Sequence, residues 1–414
     1  MTNISQKRAG WINCTWILAA TILAGISVPQ ARAIGFLIPN QGAAAIARGN
    51  AFAATADDPS AIYYNPAGIT QIPGTDFQVG DLNYLGLNMR YKPEGGGPST
   101  HTRFEVIPVP QIYFTKSLEN IPLSLGVGVY APFGLGVKWP DQTTPNIRDY
   151  ALESKLTFIT VSPVLAYKIL PSLSIAAGPT LNYAQLKFTR GLLSPTDFFR
   201  FVGDDFGVGA TAGILWQPLE KWSFGVDYKY APKMNFGGHS SYTPVERTPG
   251  AYVPTTAAVQ FPQIFSGGIS FRPTPKWNIE ADVDYINWDS FNQLKLQGTS
   301  AIFGGDLALQ LNWKDSFQYK LGVTRYFDDG WYASAGYFYT SETTPDSLFT
   351  PAVPDTELHV GSVGFGRNGE HWHWVVAAQL IVGPQREIQN SPYAPPGKYQ
   401  LISPTLSFSV GYKF

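Results

Sequence analysis

Near its C-terminus the chain alternates between two kinds of residue. Ile402, Pro404, Leu406, Phe408, Val410, Tyr412 and Phe414 are apolar, and the intervening Ser403, Thr405, Ser407, Ser409, Gly411 and Lys413 are small or polar. Side chains of a strand point to opposite faces with period two, so this segment has one greasy and one wet face. Trp277, Ile279, Ala281, Val283 and Tyr285 repeat the pattern against Asn278, Glu280, Asp282 and Asp284. So do Phe317–Val323, with polar Gln318 and Lys320 between, and Trp222–Tyr230, with Asp227 and Lys229 between. One such strand fits any antiparallel sandwich, but many, each of ten or more residues, are too long for one and suit tilted transmembrane strands.

Strands are predicted near 75–92, 103–116, 121–136, 154–170, 172–190, 204–219, 221–233, 259–273, 275–297, 315–328, 330–342, 356–368, 371–383 and 400–414. Tight turns at Leu170-Pro171-Ser172, Pro273-Thr274-Pro275, Asp328-Asp329-Gly330 and Asn368-Gly369-Glu370 alternate with longer joints, among them the loops expected at Asn235–Ala258 and Pro384–Tyr399. Short periplasmic turns and long outer loops are the asymmetry of outer-membrane barrels. Trp222, Trp277, Trp331 and Trp372 each follow a short turn, where indoles would form the periplasmic aromatic girdle.

Composition narrows this further. Lys7 and Arg8 precede a mostly apolar stretch, Trp11 to Val28, and Ala31-Arg32-Ala33 offers a signal-peptidase site, so residues 1–33 read as a cleaved signal peptide. Its removal takes the only cysteine, Cys14, and leaves 26 basic against 30 acidic residues, a balance that argues against nucleic acid. Beyond it no run of about 18 apolar residues appears, so no membrane-spanning helix is expected. The expected class is therefore all-β: a transmembrane antiparallel β-barrel of about fourteen strands over 75–414 in the bacterial outer membrane. Residues 34–74 do not alternate. They are small and turn-rich, and would fold into a lumen too wide for wall side chains to fill.

Within that segment, Ala56-Asp57-Asp58-Pro59-Ser60-Ala61-Ile62-Tyr63-Tyr64-Asn65-Pro66-Ala67-Gly68 resembles the hatch of the FadL family of outer-membrane transporters, whose hallmark is an Asn-Pro-Ala tripeptide. Val129-Tyr130-Ala131-Pro132-Phe133-Gly134-Leu135, Asn312-Trp313-Lys314-Asp315 and the terminal Phe414 extend the resemblance over essentially the whole chain. It implies a fourteen-stranded barrel, an N-terminal hatch with Asn65, Pro66 and Ala67 at its centre, and passive uptake of hydrophobic molecules. It also implies an inward kink in the third strand that opens a lateral exit.

The residues add candidates. In the strand 121–136, inward parity falls on Ser124, Gly126, Gly128, Tyr130, Pro132, Gly134 and Gly136. Gly128, Pro132 and Gly134, weak ladder formers, would shape the opening or merely leave room for the hatch. Arg190 ends a strand whose inward face runs through Leu186 and Phe188, and Lys314 begins another; two cations beside apolar side chains suit a carboxylate with a hydrocarbon tail. Either cation could instead pair with a wall acid or a lipopolysaccharide phosphate. Leu192, Leu193, Phe198, Phe199, Phe201 and Val202 would form an exposed apolar capture surface, or pack against neighbouring loops. Glu280, Asp282 and Asp284, beside a strand bearing Lys320, read as a solvated, salt-bridged wall. His371 and His373 share a face without further metal ligands, and no catalytic-serine elbow, Walker loop or zinc-helix motif occurs.

The expected function is passive uptake of hydrophobic molecules, long-chain fatty acids first and neutral aromatic hydrocarbons as the alternative, with a general diffusion porin as a further rival. No enzyme activity, cofactor or metal is expected. The expected partners are the transported molecules, outer-membrane lipid and lipopolysaccharide around a monomeric barrel.

Overall fold

A computed structural model describes residues 35–85, 88–140, 147–192, 197–242 and 252–414. The predicted signal peptide, residues 1–33, and Leu193 lie outside the described residues. Twenty-one ladder segments form one antiparallel sheet. Seven of the joints between them are breaks within a strand, so the segments amount to fourteen strands. The first (Thr75–Leu85, then Asn88–Pro93) pairs with both the second (Val106–Ser117) and the last (Gly397–Lys413), which closes the sheet on itself. Closure pairs the two end strands of the sheet with each other, as a sheet that spans hydrocarbon must.

Burial follows the alternation with the polarity reversed from a soluble protein. In the last strand Ser403, Thr405, Ser407 and Ser409 are buried in the lumen while Leu406 and Phe408 face outward. On the fourth strand (Glu153–Leu170) Ile159, Val161 and Leu165 are exposed, as are Leu181 on the fifth strand and Val208 and Ile214 on the sixth. At the short-turn end Trp222, Trp277 and Trp372 stand on the outer face. Arg325 lies 4.8 Å over the Trp277 ring and Arg367 5.4 Å over Trp331, cations stacked on the girdle.

The wall is taller than expected at the loop end. The predicted loop Asn235–Ala258 is largely strand: Lys233–Tyr242 pairs with Val253–Gln260, Lys233 opposite Gln260. Likewise the thirteenth strand (Trp372–Ile388) reaches well into the predicted loop Pro384–Tyr399. Polar and glycine residues on both faces hide such strands from an apolar/polar count. These extensions carry the barrel past the ~10 residues a tilted strand needs to cross the bilayer.

The lumen at the short-turn end is filled by the N-terminal segment. Helices α1 (Ala43–Ala47) and α2 (Ala61–Tyr64) and a 3-10 turn (Pro66–Gln71) are almost wholly buried. Small residues let main chain meet main chain. A side chain at Gly225 would strike the Ala53 carbonyl and one at Gly336 the Arg48 backbone, so both wall positions require glycine.

The acidic ladder is the dock for this segment, not a solvated wall. Glu280 and Asp282, on the ninth strand, are buried. Asp282 Oδ2 accepts from the N–H groups of Phe52 (2.7 Å) and Ala53 (2.9 Å), and Glu280 Oε1 from those of Ala54 (2.7 Å) and Thr55 (3.2 Å). Arg48 closes on Glu280 at 3.3 Å, and Lys320 pairs with Asp284. Carboxylates that collect several donors in a dry site are the ones such a site can hold.

Candidate functional site

The third strand is broken. Leu123–Tyr130 pairs with the second strand up to Val129 opposite Ile112, and among the described residues no ladder joins the two strands above that pair until the Arg103 N–H reaches the Lys138 carbonyl at 2.8 Å. Opposite the fourth strand, Tyr130 faces Thr160 while Gly134 faces Thr157, so three residues oppose two. That one-residue bulge flips the side-chain parity. Gly128 points inward as expected, but Gly134 and Gly136 do not keep the inward face, which passes to Leu135 and Val137.

Exposed apolar residues flank the break at the same height: Ile112 on one side, Ile159 and Val161 on the other. It therefore lies at hydrocarbon level. Leu37 bridges Phe133, Ile38 N–H donates to the Pro132 carbonyl (2.8 Å), and Gly134 N–H donates to the Phe36 carbonyl (2.9 Å). Gln41 completes the seal: its Nε2 donates to the Ala131 carbonyl (2.7 Å) and its Oε1 accepts from the Ala131 N–H (3.3 Å). Residues 36–41 thus lie strand-like across the break.

Above the hatch, in the tall outer part of the barrel, lies an apolar cavity of about 50 Å³. Leu135, Leu156, Leu186, Phe188, Phe261 and Leu311 line it among others, Phe36 of the hatch forms part of its wall, and Thr350, Ala352 and Val353 belong to the loop that covers it. That loop is tied down by Asp355, which accepts from the N–H groups of Thr343 (2.6 Å), Thr344 (2.8 Å) and Gly35 (3.3 Å); burial pushes its carboxyl up. A second cavity of about 30 Å³ sits beside the break, lined by Tyr63, Tyr130, Pro132, Phe133, Phe158 and Lys229 among others. Four phenylalanines divide the two. Ring centroids are 5.5 Å apart for Phe36–Phe261, 6.1 Å for Phe36–Phe133, 5.1 Å for Phe133–Phe158 and 4.8 Å for Phe158–Phe261. At on the order of 10–15 Å³ per water, the upper cavity is small, and a hydrocarbon chain enters only as rings move aside.

The structure gathers some of the sequence candidates and separates others. Leu186 and Phe188 line the upper cavity, and Arg190 follows on the same face, its guanidinium 5.5 Å from the Phe303 ring. Phe199 and Phe201 are fully buried and inward rather than exposed. Phe198 takes the other face, under Arg200 at 4.7 Å. Lys314 is exposed, and Trp313 beside it is the residue packed into the core; both lie before Ser316, where the strand begins, so strand parity does not govern them. His373 hydrogen-bonds Asp76 (2.9 Å) and His371 the Lys413 carbonyl (3.2 Å), so the two histidines have separate partners.

Asn65, Pro66 and Ala67 are buried against the sixth strand (Phe198–Leu219). Asn65 caps the 3-10 turn through the Ala67 N–H (3.2 Å), Pro66 follows as its first residue, and Asn65 Nδ2 donates to the carbonyls of Ala53 (2.8 Å) and Ile214 (3.0 Å). One side chain ties two hatch segments to the wall. Asn65→Ala is expected to cost roughly 1–3 kcal/mol of hatch docking, from a lost cap and orphaned carbonyls. Faster amide exchange over 53–70 with an unchanged barrel would show it.

A profile of the family described as "Outer membrane protein transport protein (OMPP1/FadL/TodX)" matches residues 25–374. The chain belongs to this family. It is 23% identical over 386 residues to a long-chain fatty acid transport protein of Salmonella typhi, covering 84% of this chain and 86% of that one. To the protein of the same name in Escherichia coli O6:H1 it is 24% identical over 349 residues, covering 73% and 76%. Among solved structures, a Pseudomonas aeruginosa FadL homologue superposes with a TM-score of 0.74 at 19% identity, covering 92% of this chain and all of that one. The Pseudomonas putida toluene transporter TodX superposes at 0.67 and 14%, covering 86% and 94%. The FadL-family barrel described here is an outer-membrane protein that transports hydrophobic molecules.

The sequence reading missed Phe36, Gln41 and the docking role of Glu280 and Asp282. For the acids a signal existed: three inward carboxylates face a single wall lysine, an excess that calls for cations and donors from elsewhere in the chain.

Proposed function

We propose that this FadL-family protein takes up long-chain fatty acids. They would enter the apolar cavity from outside, pass the phenylalanine cluster and leave sideways through the third-strand break. The observation that carries the choice of ligand is Arg190, one strand repeat above Phe188 on the inner face, a cation two residues beyond the mostly apolar cavity that Leu186 and Phe188 line. The named activity of the Salmonella and Escherichia relatives agrees with it.

The charge distribution favours the sideways route. Around the hatch, Glu280, Asp282, Asp284 and Asp227 are buried and face Arg48, Lys320 and the part-buried Lys229, one acid more than these bases. A carboxylate pushed straight through that layer would meet repulsion in a dry site, whereas the break opens on hydrocarbon. The moving part in this reading is the 36–41 segment rather than Asn65-Pro66-Ala67, which is cross-tied to the wall. With signal cleavage after Ala33, Phe36 would lie next to the free end of the mature chain.

The mostly apolar lining of the cavity also suits a neutral aromatic hydrocarbon. Arg190→Gln separates the two. Loss of one charge-assisted bond, ~1.5–3 kcal/mol, would lower fatty acid affinity by roughly ten- to a hundredfold and leave toluene uptake unchanged. Fatty acid binding insensitive to the substitution would refute the carboxylate reading.

A further inference from the structure

The strand opposite the break carries two prolines, Pro108 and Pro110. Ser117 N–H donates to Gly74 of the first strand at 2.8 Å, and Leu118 N–H to Leu123 of the third at 2.9 Å. Main-chain groups alternate sides along a strand, so even-numbered residues of the second strand face the third. Val109 keeps that phase, since its N–H turns to Asp81 Oδ1 on the first strand at 3.1 Å. Pro108 and Pro110 therefore face the break, and neither has an N–H to offer. Continuing the register of Ile112 opposite Val129 by two residues would put Pro110 opposite Ala131.

Ala131 needs one donor and one acceptor on that side. It gets both from the Gln41 carboxamide, which is buried and offers the same donor–acceptor pair as a peptide unit. Pro110 could supply a carbonyl alone. We infer that Pro110, with Pro108 above it, is a positioning residue that keeps the second and third strands from zipping together, so that Ala131 bonds to the hatch and the wall opens whenever Gln41 withdraws. A valine in place of Pro110 would restore the missing donor, and a strand-forming side chain with it. The ladder could then extend past Ile112 and close the break permanently, with or without the hatch.

The test uses Pro110→Val, with Gln41→Ala made in both backgrounds. Heat-modifiable mobility in gels confirms a folded barrel, and hydrogen exchange followed by mass spectrometry reads the amides. In Pro110→Val the newly created valine amide is expected to exchange roughly tenfold or more slowly than an unpaired one, the equivalent of one net hydrogen bond. With Pro110 present, Gln41→Ala is expected to speed exchange at Ala131; in the Pro110→Val background it is not. An unprotected valine amide overturns the inference. So does an Ala131 amide that stays protected in Gln41→Ala alone, an arm that holds even if the Pro110→Val variant fails to fold. Uptake is read alongside, because only this part rests on the sideways route: a protected valine amide with fatty acid uptake undiminished would sink that route and leave the strand-pairing inference standing.

Discussion

Replacing Glu280 and Asp282 together by alanine is expected to turn a plugged barrel into an ion-conducting one. The two carboxylates hold the N–H groups of Phe52, Ala53, Ala54 and Thr55, and Glu280 also neutralises Arg48. A buried donor left without a partner costs about 1–3 kcal/mol, and a buried charge stripped of its counterion about 3–5 kcal/mol. Even with generous non-additivity the sum rivals the ~5–15 kcal/mol that holds a whole domain together. The barrel itself loses nothing, since both side chains point away from the ladder their strand makes with its neighbours. The hatch should therefore leave the lumen or melt within it. Planar-bilayer recording in potassium chloride would show long-lived open currents for the double variant and essentially closed behaviour for the wild type. Closed behaviour in both would mean that the remaining ties, such as Asn65 to Ile214 and Tyr113 Oη to the Gln41 carbonyl at 2.6 Å, are enough. The amide pair Glu280→Gln and Asp282→Asn keeps the acceptors but strands Arg48, and is expected to fall between.

The alternation that announced the barrel was legible because a lipid-facing residue has no freedom: one polar side chain in hydrocarbon costs more than the strand can spare. Hence the strand positions, the tryptophan girdle and the family resemblance all emerge from sequence. Where both faces meet water or protein, that constraint lapses. Lys233–Tyr242, with Gly237, Gly238, Ser240 and Ser241, shows no period and reads as loop although it is fully paired. The same lapse hides the bulge after Tyr130, since one inserted residue leaves composition unchanged but reverses every later side chain. Parity is therefore trustworthy only up to the first irregularity. It placed Gly128 inward correctly and missed Gly134 and Lys314 because the first lies beyond the bulge and the second before its strand begins.

The site residues divide along a similar line. Leu186, Phe188 and Arg190 share one uninterrupted strand, Leu173–Gly191, so counting by two from the membrane keeps them on the inner face, where Leu186 and Phe188 line the cavity. Gln41 and Phe36 sit in a segment with no period at all. Their roles come from what the wall lacks, an N–H at Pro110 and a continuous third strand, and a lack on one strand gives no hint of which distant side chain supplies it.

Phe36 touches both the cavity and the seal, and on the proposed route Phe36→Ala is expected to uncouple them. Its ring forms part of the upper cavity and touches five others, with Trp288 at 4.8 Å and Trp313 at 5.6 Å beside the phenylalanines. Its carbonyl accepts the Gly134 N–H across the break. On the proposed route, a chain that fills the cavity would push this ring aside and the main chain with it, drawing the strand-like segment off the third strand. Truncation to alanine empties a ring's volume at a cost of about 3–5 kcal/mol in a packed core. Ligand would then settle into the enlarged cavity without disturbing the seal. Coupling of this kind is typically worth a factor of roughly 5–150, so uptake should drop by about that much while ligand binding to purified protein holds or tightens. Equilibrium binding of a fluorescent fatty acid, set against uptake by cells carrying the variant, measures both. A parallel loss of binding and uptake would show Phe36 to be merely part of the cavity wall, and an undiminished uptake would detach the seal from transport altogether.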